Sequence, residues 1–134
     1  GSIAIENVVK SFGVDFMKII DPYDVPLMMQ TILDAFAYLK AKGNAPAVII
    51  ARRDCLLYKK GKIDSPFVPD DIEKNCIGCK HCIKYFGCPA IVFDEDIKKI
   101  KVDEGLCVRC GICLYACPSH PKGKSLQSLQ QKTK

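Results

Sequence analysis

The sequence predicts an α+β chain in which a partial α/β segment is followed by a small module rich in cysteine. Helical and strand-like apolar patterns alternate in the first part of the chain, and two cysteine triplets with the same spacing lie in the second. The predicted divisions are 1–58 for the α/β segment, 59–71 for a linker, 72–118 for the cysteine module and 119–134 for a flexible basic tail.

The first part predicts the order helix, strand, helix, strand. Apolar residues at helical spacing (Ile5, Val8, Val9, Phe12) end at Gly13, and the apolar run from Phe16 to Ile20 ends in the turn Asp21-Pro22-Tyr23-Asp24. Asp24 can cap a second helix, Pro26 suits its first turn and Gly43 can end it. One face of that helix carries Met29, Ile32, Phe36 and Leu39.

The second predicted strand, Ala47 to Ala51, is a continuous apolar run of the kind found in buried parallel strands. Two such strands form only part of a doubly wound sheet, which buries several strands on both faces. Either the chain begins inside a larger α/β domain or a partner completes the sheet. Gly1-Ser2 resembles a cloning scar, which favours the first alternative.

Composition predicts a metal-binding protein rather than a disulfide-bonded one. The 134 residues contain nine cysteines, an odd number, and the chain has no secretory signal and no apolar run long enough to span a membrane. A soluble cytoplasmic protein is therefore expected, with no membrane partner, and in a reducing compartment dense cysteines indicate metal.

The net charge of +5 does not predict a nucleic-acid partner. Residues 1–66 carry +2, residues 67–118 carry −1 and the tail at 119–134 carries +4. Cysteine thiolates that bind metal add negative charge, so the metal-loaded chain would be less basic than this sum. The Ser/Gln/Lys-rich tail has little to bury and is expected to be solvated.

Each cysteine triplet has the spacing of an iron–sulfur site. The triplets are Cys76-x2-Cys79-x2-Cys82 and, 31 residues later, Cys107-x2-Cys110-x2-Cys113, and a Cys-Pro pair follows each one at Cys88 and Cys117. Such a loop places three thiolates on three corners of a 4Fe–4S cube, and the fourth comes from elsewhere. The pattern predicts a bacterial two-cluster 4Fe–4S ferredoxin-like module that transfers single electrons.

The fourth ligand of each cluster is predicted to come from the opposite half of the module. In two-cluster ferredoxins the cysteine of the Cys-Pro pair ligates the other cluster. Carried over to this chain, cluster I takes Cys76, Cys79, Cys82 and Cys117, and cluster II takes Cys107, Cys110, Cys113 and Cys88. Between the halves, residues 90–93 and 97–102 are expected to form short strands around an acidic turn.

The first half has a longer loop before its Cys-Pro pair. Five residues separate Cys82 from Cys88, whereas three separate Cys113 from Cys117. The extra residues either are a tolerated loop length or change solvent access or docking near one cluster. Gly78 and Gly111 are expected to let the ligand loops turn tightly and direct backbone N–H groups at sulfur.

Other residues near the triplets leave alternatives open. Zinc also takes four thiolates, but triplets fit its usual paired spacing poorly.

Cys55, after Arg52 and Arg53, is either a reactive thiol or a small packing residue. The aromatic residues of the ligand loops (Tyr85, Phe86, Tyr115) are expected to shield the clusters, and the nearby histidines (His81, His120) are not needed as ligands.

The order of motifs resembles the carboxy-terminal end of the alpha subunit of indolepyruvate ferredoxin oxidoreductase, one of the 2-oxoacid:ferredoxin oxidoreductases. The stretches that carry the resemblance are Ile20-Asp21-Pro22-Tyr23-Asp24, Val48 to Cys55, Cys76-Ile77-Gly78-Cys79-Lys80 and Gly87-Cys88-Pro89-Ala90-Ile91. The chain departs from the family pattern at Asp54, where proline is frequent, and after Pro118, where the usual apolar close is missing.

The resemblance implies that residues 1–58 close a thiamine-diphosphate-binding domain and that the cysteine module is its ferredoxin domain. The parent enzyme would oxidatively decarboxylate an aryl 2-oxoacid with coenzyme A, in anaerobic metabolism. Its partners would be the rest of the alpha subunit, a beta subunit and external ferredoxin as electron acceptor. The family's Gly-Asp-Gly motif for Mg²⁺ and diphosphate is absent from this chain, so thiamine diphosphate and Mg²⁺ are expected only in the parent.

The predicted function is thus electron transfer through two 4Fe–4S clusters, with no complete catalytic site in this chain. The alternative is a free-standing two-cluster ferredoxin whose α/β segment serves for docking. The mass of the native gene product would discriminate between the two.

Overall fold

The computed structural model describes residues 3–56, 58 and 69–131 of the chain, which divides into two units, Gly1–Arg53 and Asp54–Lys134. The first unit contains α1 (Ile5–Ser11), β1 (Phe16–Ile20), α2 (Val25–Lys42) and β2 (Ala47–Ala51). The second contains α3 (Asp70–Lys74), a π-helical turn (Cys82–Phe86), β3 (Ile91–Asp94), β4 (Lys99–Val102), α4 (Cys113–Ala116) and α5 (Pro121–Gln131). No helix in the described part of the chain is both long and apolar enough to cross a membrane.

The first unit has the element order that the sequence predicts. Strands β1 and β2 pair in parallel, from Phe16 opposite Ala47 to Ile20 opposite Ala51. Helix α2 begins where the Asp24 carboxylate accepts a hydrogen bond from the Leu27 backbone N–H at 3.1 Å, and it ends at Gly43 with a φ of 72°. These are the cap and the stop that the sequence indicates.

The buried positions of α2 are not those of its largest apolar residues. Thr31 and Ala35 are buried, and the Tyr38 ring lies 5.1 Å from that of Phe16. By contrast, the Phe36 side chain of the predicted apolar face is 59% exposed. Small side chains let a helix approach a sheet closely, so the core-facing positions are those of Thr31 and Ala35 rather than those of the largest apolar residues.

The second unit is built around a hairpin and a small core. Strands β3 and β4 pair antiparallel, from Ile91 opposite Val102 to Asp94 opposite Lys99, close to the short strands expected. The core combines buried aliphatic side chains with buried cysteines: Ile72, Ile91, Ile100, Leu114, Cys82, Cys113 and Cys117. The linker predicted at 59–71 lies almost wholly outside the described residues, and α3 takes its last two positions.

Most of the segment predicted to be a solvated tail is helical in the described residues. Helix α5 forms there and buries Leu126, which is 8% exposed. A Cβ added at Gly123 would lie 1.8 Å from the Cys117 carbonyl oxygen, so the absence of a side chain at that position lets α5 pack directly on the cysteine module. The helix could not be predicted from the composition of this segment, because only a few of its residues contact the cysteine module.

Candidate metal centres

Four cysteines converge in the first centre. Cys76, Cys79, Cys82 and Cys117 line one pocket, and Cys82 and Cys117 are each only 7% exposed. Burial raises the pKa of the Cys82 thiol, and the nearby thiolates of Cys117, Cys76 and Cys79 raise that pKa further. The structure thus brings together the same four cysteines that the sequence assigns to cluster I.

The second set of four cysteines consists of Cys113 and three cysteines around it. Burial raises the pKa of the Cys113 thiol to about 12, and the neighbouring thiolates of Cys110, Cys88 and Cys107 add to this effect. Three members of the set come from the second triplet, and Cys88 comes from the Cys-Pro pair of the first half. These are the cysteines that the sequence assigns to cluster II.

Both sets fit a positively charged metal core. Buried thiolates that repel one another are stabilised when they bind cationic iron, and binding releases their protons. Four thiolates to a site, three from one loop and one from a distant segment, form the donor set of a 4Fe–4S cluster.

Backbone groups direct hydrogen bonds at Cys76. The N–H of Gly78 lies 3.4 Å from the Cys76 sulfur, as expected from the tight turn, and the N–H of Ile100 on β4 lies 3.3 Å from it. Donors of this kind stabilise negative charge on ligand sulfur. The sequence indicates the first donor but not the second, because Ile100 approaches only through folding of the hairpin.

Each triplet contains two residues in the left-handed backbone region. Gly78 and Lys80 have φ values of 73° and 55°, and Arg109 and Gly111 have values of 54° and 72°. The two halves therefore share one loop conformation, although glycine occupies opposite positions in them. Glycine adopts this conformation freely, whereas lysine and arginine do so at a cost.

The longer loop before Cys88 forms the π-helical turn. Gly87 closes it in the left-handed conformation, with its N–H donating to the Cys82 carbonyl at 3.0 Å. The prediction that Tyr85 shields a cluster is not supported, because this side chain is 69% exposed and its ring lies 4.5 Å from that of His81. The extra residues thus place aromatic surface in solvent.

The segment after Cys117 contains a polar residue that the sequence reasoning missed. The Ser119 hydroxyl oxygen lies 3.1 Å from the Cys117 sulfur and donates to the Asn75 carbonyl at 2.7 Å. Its only sequence signal is a hydroxyl two residues after a ligand. The neighbouring His120 accepts a hydrogen bond from the Lys122 N–H through Nδ1, at 3.2 Å.

Cys55 is exposed, which corrects the idea that it is a packing residue. The preceding cations are engaged with carboxylates of the first unit. Arg52 pairs with Glu6 at 2.6 Å, and Arg53 pairs with Asp21. Each arginine therefore has a partner of its own for its charge.

Comparison with protein families identifies the class of site. Residues 75–120 match the 4Fe-4S dicluster domain, which covers both triplets and both Cys-Pro pairs. The module therefore binds two 4Fe–4S clusters and transfers electrons in the manner of a ferredoxin. This match favours iron–sulfur clusters over the zinc alternative.

Relatives among characterised proteins extend the comparison to most of the chain. The chain is 41% identical over 120 residues to the indolepyruvate oxidoreductase subunit IorA of Thermococcus kodakarensis and 32% identical over 124 residues to that of Archaeoglobus fulgidus. These matches cover 87% and 88% of the chain but 18% of each relative. The predicted resemblance to the carboxy-terminal part of the indolepyruvate ferredoxin oxidoreductase alpha subunit is confirmed.

A shorter match lies in another enzyme. The archaeal-type glutamate synthase of Dehalococcoides mccartyi is 40% identical over 58 residues, which is 43% of this chain. Comparison with solved structures gave no significant match.

Proposed function

We propose that the eight cysteines bind two clusters with crossed ligation and that this chain relays electrons released elsewhere in a larger alpha subunit. The observation that carries the proposal is the convergence of two sets of four cysteines, each with one member from the opposite half. Cluster I is assigned to Cys76, Cys79, Cys82 and Cys117, and cluster II to Cys107, Cys110, Cys113 and Cys88.

The residues around the cysteines support electron transfer. When bound, the clusters supply one-electron chemistry. Ile72 and Ile100, which are 1% and 2% exposed, line the first site and keep water from it, and the buried Leu114 belongs to the same core. The N–H groups of Gly78 and Ile100 stabilise charge at Cys76.

The first unit is proposed to be the end of a doubly wound, thiamine-diphosphate-type domain. This unit leaves apolar surface exposed, at Ile19 of β1 (43%) and at Ile32 (40%) and Phe36 of α2. Among the described residues, the buried Tyr38 hydroxyl has no hydrogen-bond partner. The proposed divisions remain 1–58, 59–71, 72–118 and 119–134, and the last of these contains helix α5.

The parent reaction is proposed from the relatives' names. Those relatives are indolepyruvate oxidoreductase subunits, so the parent would oxidise an aryl 2-oxoacid with thiamine diphosphate, Mg²⁺ and coenzyme A. A beta subunit and external cytoplasmic ferredoxin would be its partners. This chain would supply the path from the reaction to that acceptor.

Paired cysteine replacements test the crossed ligation. Anaerobic iron and sulfide analysis of the chain should give about eight irons, and EPR of the reduced protein should give two interacting signals. Replacing Cys76 and Cys117 with alanine should remove only cluster I and leave about four irons, whereas replacing Cys76 and Cys88 should damage both clusters. The Cys55→Ala variant is the control and should keep both.

The reverse pattern would contradict the assignment. If ligation were not crossed, Cys76 and Cys88 would serve one cluster, and their joint replacement would leave the other intact. For the parent reaction, indolepyruvate and coenzyme A should reduce the clusters of the complete alpha and beta subunits, seen as growth of the EPR signals. Full clusters that stay oxidised would count against that substrate.

A further inference from the structure

Ser119 lies between a cluster ligand and a backbone carbonyl. Its hydroxyl oxygen is 3.1 Å from the Cys117 sulfur and 2.7 Å from the Asn75 oxygen. It also lines the same pocket as the four cysteines of the first centre. One hydroxyl hydrogen therefore faces two acceptors.

The state of Cys117 decides which hydrogen bonds can form. A free thiol can donate to the Ser119 oxygen, but a metal-bound thiolate can only accept. Once Cys117 is a ligand, a hydrogen bond between the two side chains requires Ser119 to be the donor. Rotation about the Cβ–Oγ bond moves the hydrogen from the Asn75 carbonyl to the sulfur without moving the oxygen.

The other centre differs at the position that matches Ser119. The residue in the matching position after Cys88-Pro89 is Ala90, which is 1% exposed. The two centres, similar in their cysteines, thus differ in a hydrogen-bond donor beside the fourth ligand. Hydrogen bonds to ligand sulfur are among the factors that set the potential of an iron–sulfur cluster.

We propose that Ser119 is a positioning residue that raises the reduction potential of cluster I by donating its hydroxyl hydrogen to the Cys117 sulfur in the reduced state. Reduction adds one electron, and so one negative charge, to the cluster and its thiolates. Because hydrogen bonds to more negative acceptors are stronger, the hydroxyl favours the reduced form. The inference rests on the proposed ligation by Cys117.

The test compares Ser119→Ala with Ser119→Thr in the anaerobically loaded protein, with dithionite as the electron donor and EPR to follow each cluster. Ser119→Ala should shift the midpoint of one cluster to a more negative potential and leave the other unchanged. Ser119→Thr keeps the hydroxyl and should stay near the wild type. Ser11→Ala removes a hydroxyl from the first unit, where it donates to Val8, and should shift neither potential.

A spectroscopic measurement on the wild type keeps the test decisive if Ser119→Ala loads poorly. Pulsed ENDOR of the reduced protein, frozen after only brief transfer from H₂O to D₂O, should show a rapidly exchanging proton coupled to one cluster, distinct from the slowly exchanging amide protons of Gly78 and Ile100, and the threonine variant should retain it. Unchanged midpoints in Ser119→Ala, or no such proton in the wild type, would overturn the inference while leaving two loaded clusters in place. If both clusters instead survive replacement of Cys117, the ligand assignment itself is wrong.

Discussion

The two halves of the cysteine module begin alike and end differently. Each has a triplet followed by a Cys-Pro pair, but the first half then forms the β3–β4 hairpin and the second forms helix α5. Both closing elements contact a ligand: the Ile100 N–H of β4 donates to the Cys76 sulfur, and Gly123 of α5 lies against the Cys117 carbonyl. The spacing of the ligands thus determines the conformation of the ligand loops, whereas the element that packs over the site can be either a strand or a helix.

The halves also differ in how they reach their fourth cysteine. In the first half, Cys82–Phe86 form a π-helical turn before Cys88. In the second half, the single turn of α4 (Cys113–Ala116) leads directly into Cys117. Both routes still bring a cysteine to the opposite triplet. The spacing within each triplet therefore matters more for the site than the length of the segment that leaves it.

The largest effect is expected from breaking the helical closure of the second half. In Gly123→Ala the added Cβ would overlap the Cys117 carbonyl oxygen, at 1.8 Å, and both partners are constrained by backbone. We expect a loss of about 3 kcal/mol or more in the free energy of unfolding, and faster loss of iron to a chelator. Chemical denaturation and the rate of bleaching measure the two effects.

Lys124→Ala is the matched control for this variant. Lys124 lies on the same helix and is exposed, so its replacement should change stability by at most about 0.5 kcal/mol. Equal stability of the two variants would show that α5 does not hold the site closed.

The second prediction tests the tight turn of the first half. Gly78 and Gly87 both have a positive φ, at 73° and 66°, but a Cβ at Gly78 would lie 2.5 Å from the Lys98 oxygen, and one at Gly87 meets nothing within 4 Å. Both alanine variants incur the left-handed backbone cost of about 1–2 kcal/mol. Gly78→Ala should be less stable than Gly87→Ala by a further 1–3 kcal/mol or so, measured by denaturant titration. Equal losses of stability in the two variants would mean that the left-handed backbone conformation accounts for the whole effect.

The third prediction concerns the exchanged positions of glycine in the triplets. Arg109 has a φ of 54° at the position where the first half has Gly78. Arg109→Gly should be more stable than Arg109→Ala by about 1 kcal/mol, because both lose the ion pair with Glu104 and only glycine relieves the backbone. Thermal denaturation of the loaded variants compares them. A more stable alanine variant would mean that this backbone is not strained.

Replacement of the left-handed residue by glycine should stabilise the protein less in the first half than in the second. Lys80, with a φ of 55°, also pairs with Glu95 at 3.0 Å and places its ammonium 3.8 Å from the centre of the Phe93 ring. Lys80→Gly loses those contacts while it relieves the backbone. Its stability should therefore fall below that of Arg109→Gly relative to the wild type.

The sequence predicted the parts of the module that ligand chemistry specifies. Triplet spacing indicated the loops, and glycine indicated the tight turns at Gly78 and Gly111. The left-handed conformation at Lys80 and Arg109 could not be read from those residues, because the folded loop imposes it. A local sequence pattern does not specify a left-handed backbone at a lysine or an arginine.

Contacts between distant segments account for the other differences. Helix α5 depends on Gly123 and Leu126 meeting the module, and the packed face of α2 depends on which of its residues meet the sheet. Ser119 becomes notable only when Asn75 lies beside it. Each of these features joins residues that periodicity treats separately.

The smallest effect is expected at the turn of the hairpin that closes the first half. The Asp94 carboxylate accepts hydrogen bonds from the Asp96 and Ile97 N–H groups and pairs with Lys101 at 2.6 Å; the hydrogen bond from Lys101 is the main cause that lowers the pKa of Asp94. Because the folded-state pKa is lower than the ordinary 3.8, the stabilisation is fully present at pH 7 and is lost only as the pH falls through and below that value. Asp94→Asn keeps an acceptor for the turn but removes the charge, so the melting temperature at pH 7 should fall slightly.

The dependence on salt concentration distinguishes the contribution of the Asp94 charge from that of its turn hydrogen bonds. The difference between Asp94→Asn and the wild type should shrink at high ionic strength, since an exposed ion pair is screened. Lys99→Ala, which removes an exposed cation from β4, the strand paired with that of Asp94, is the control and should leave the melting temperature nearly unchanged. A difference that persists in high salt would mean that Asp94 acts through its turn hydrogen bonds, and the strand closure would then depend on backbone geometry, as the helical closure does at Gly123.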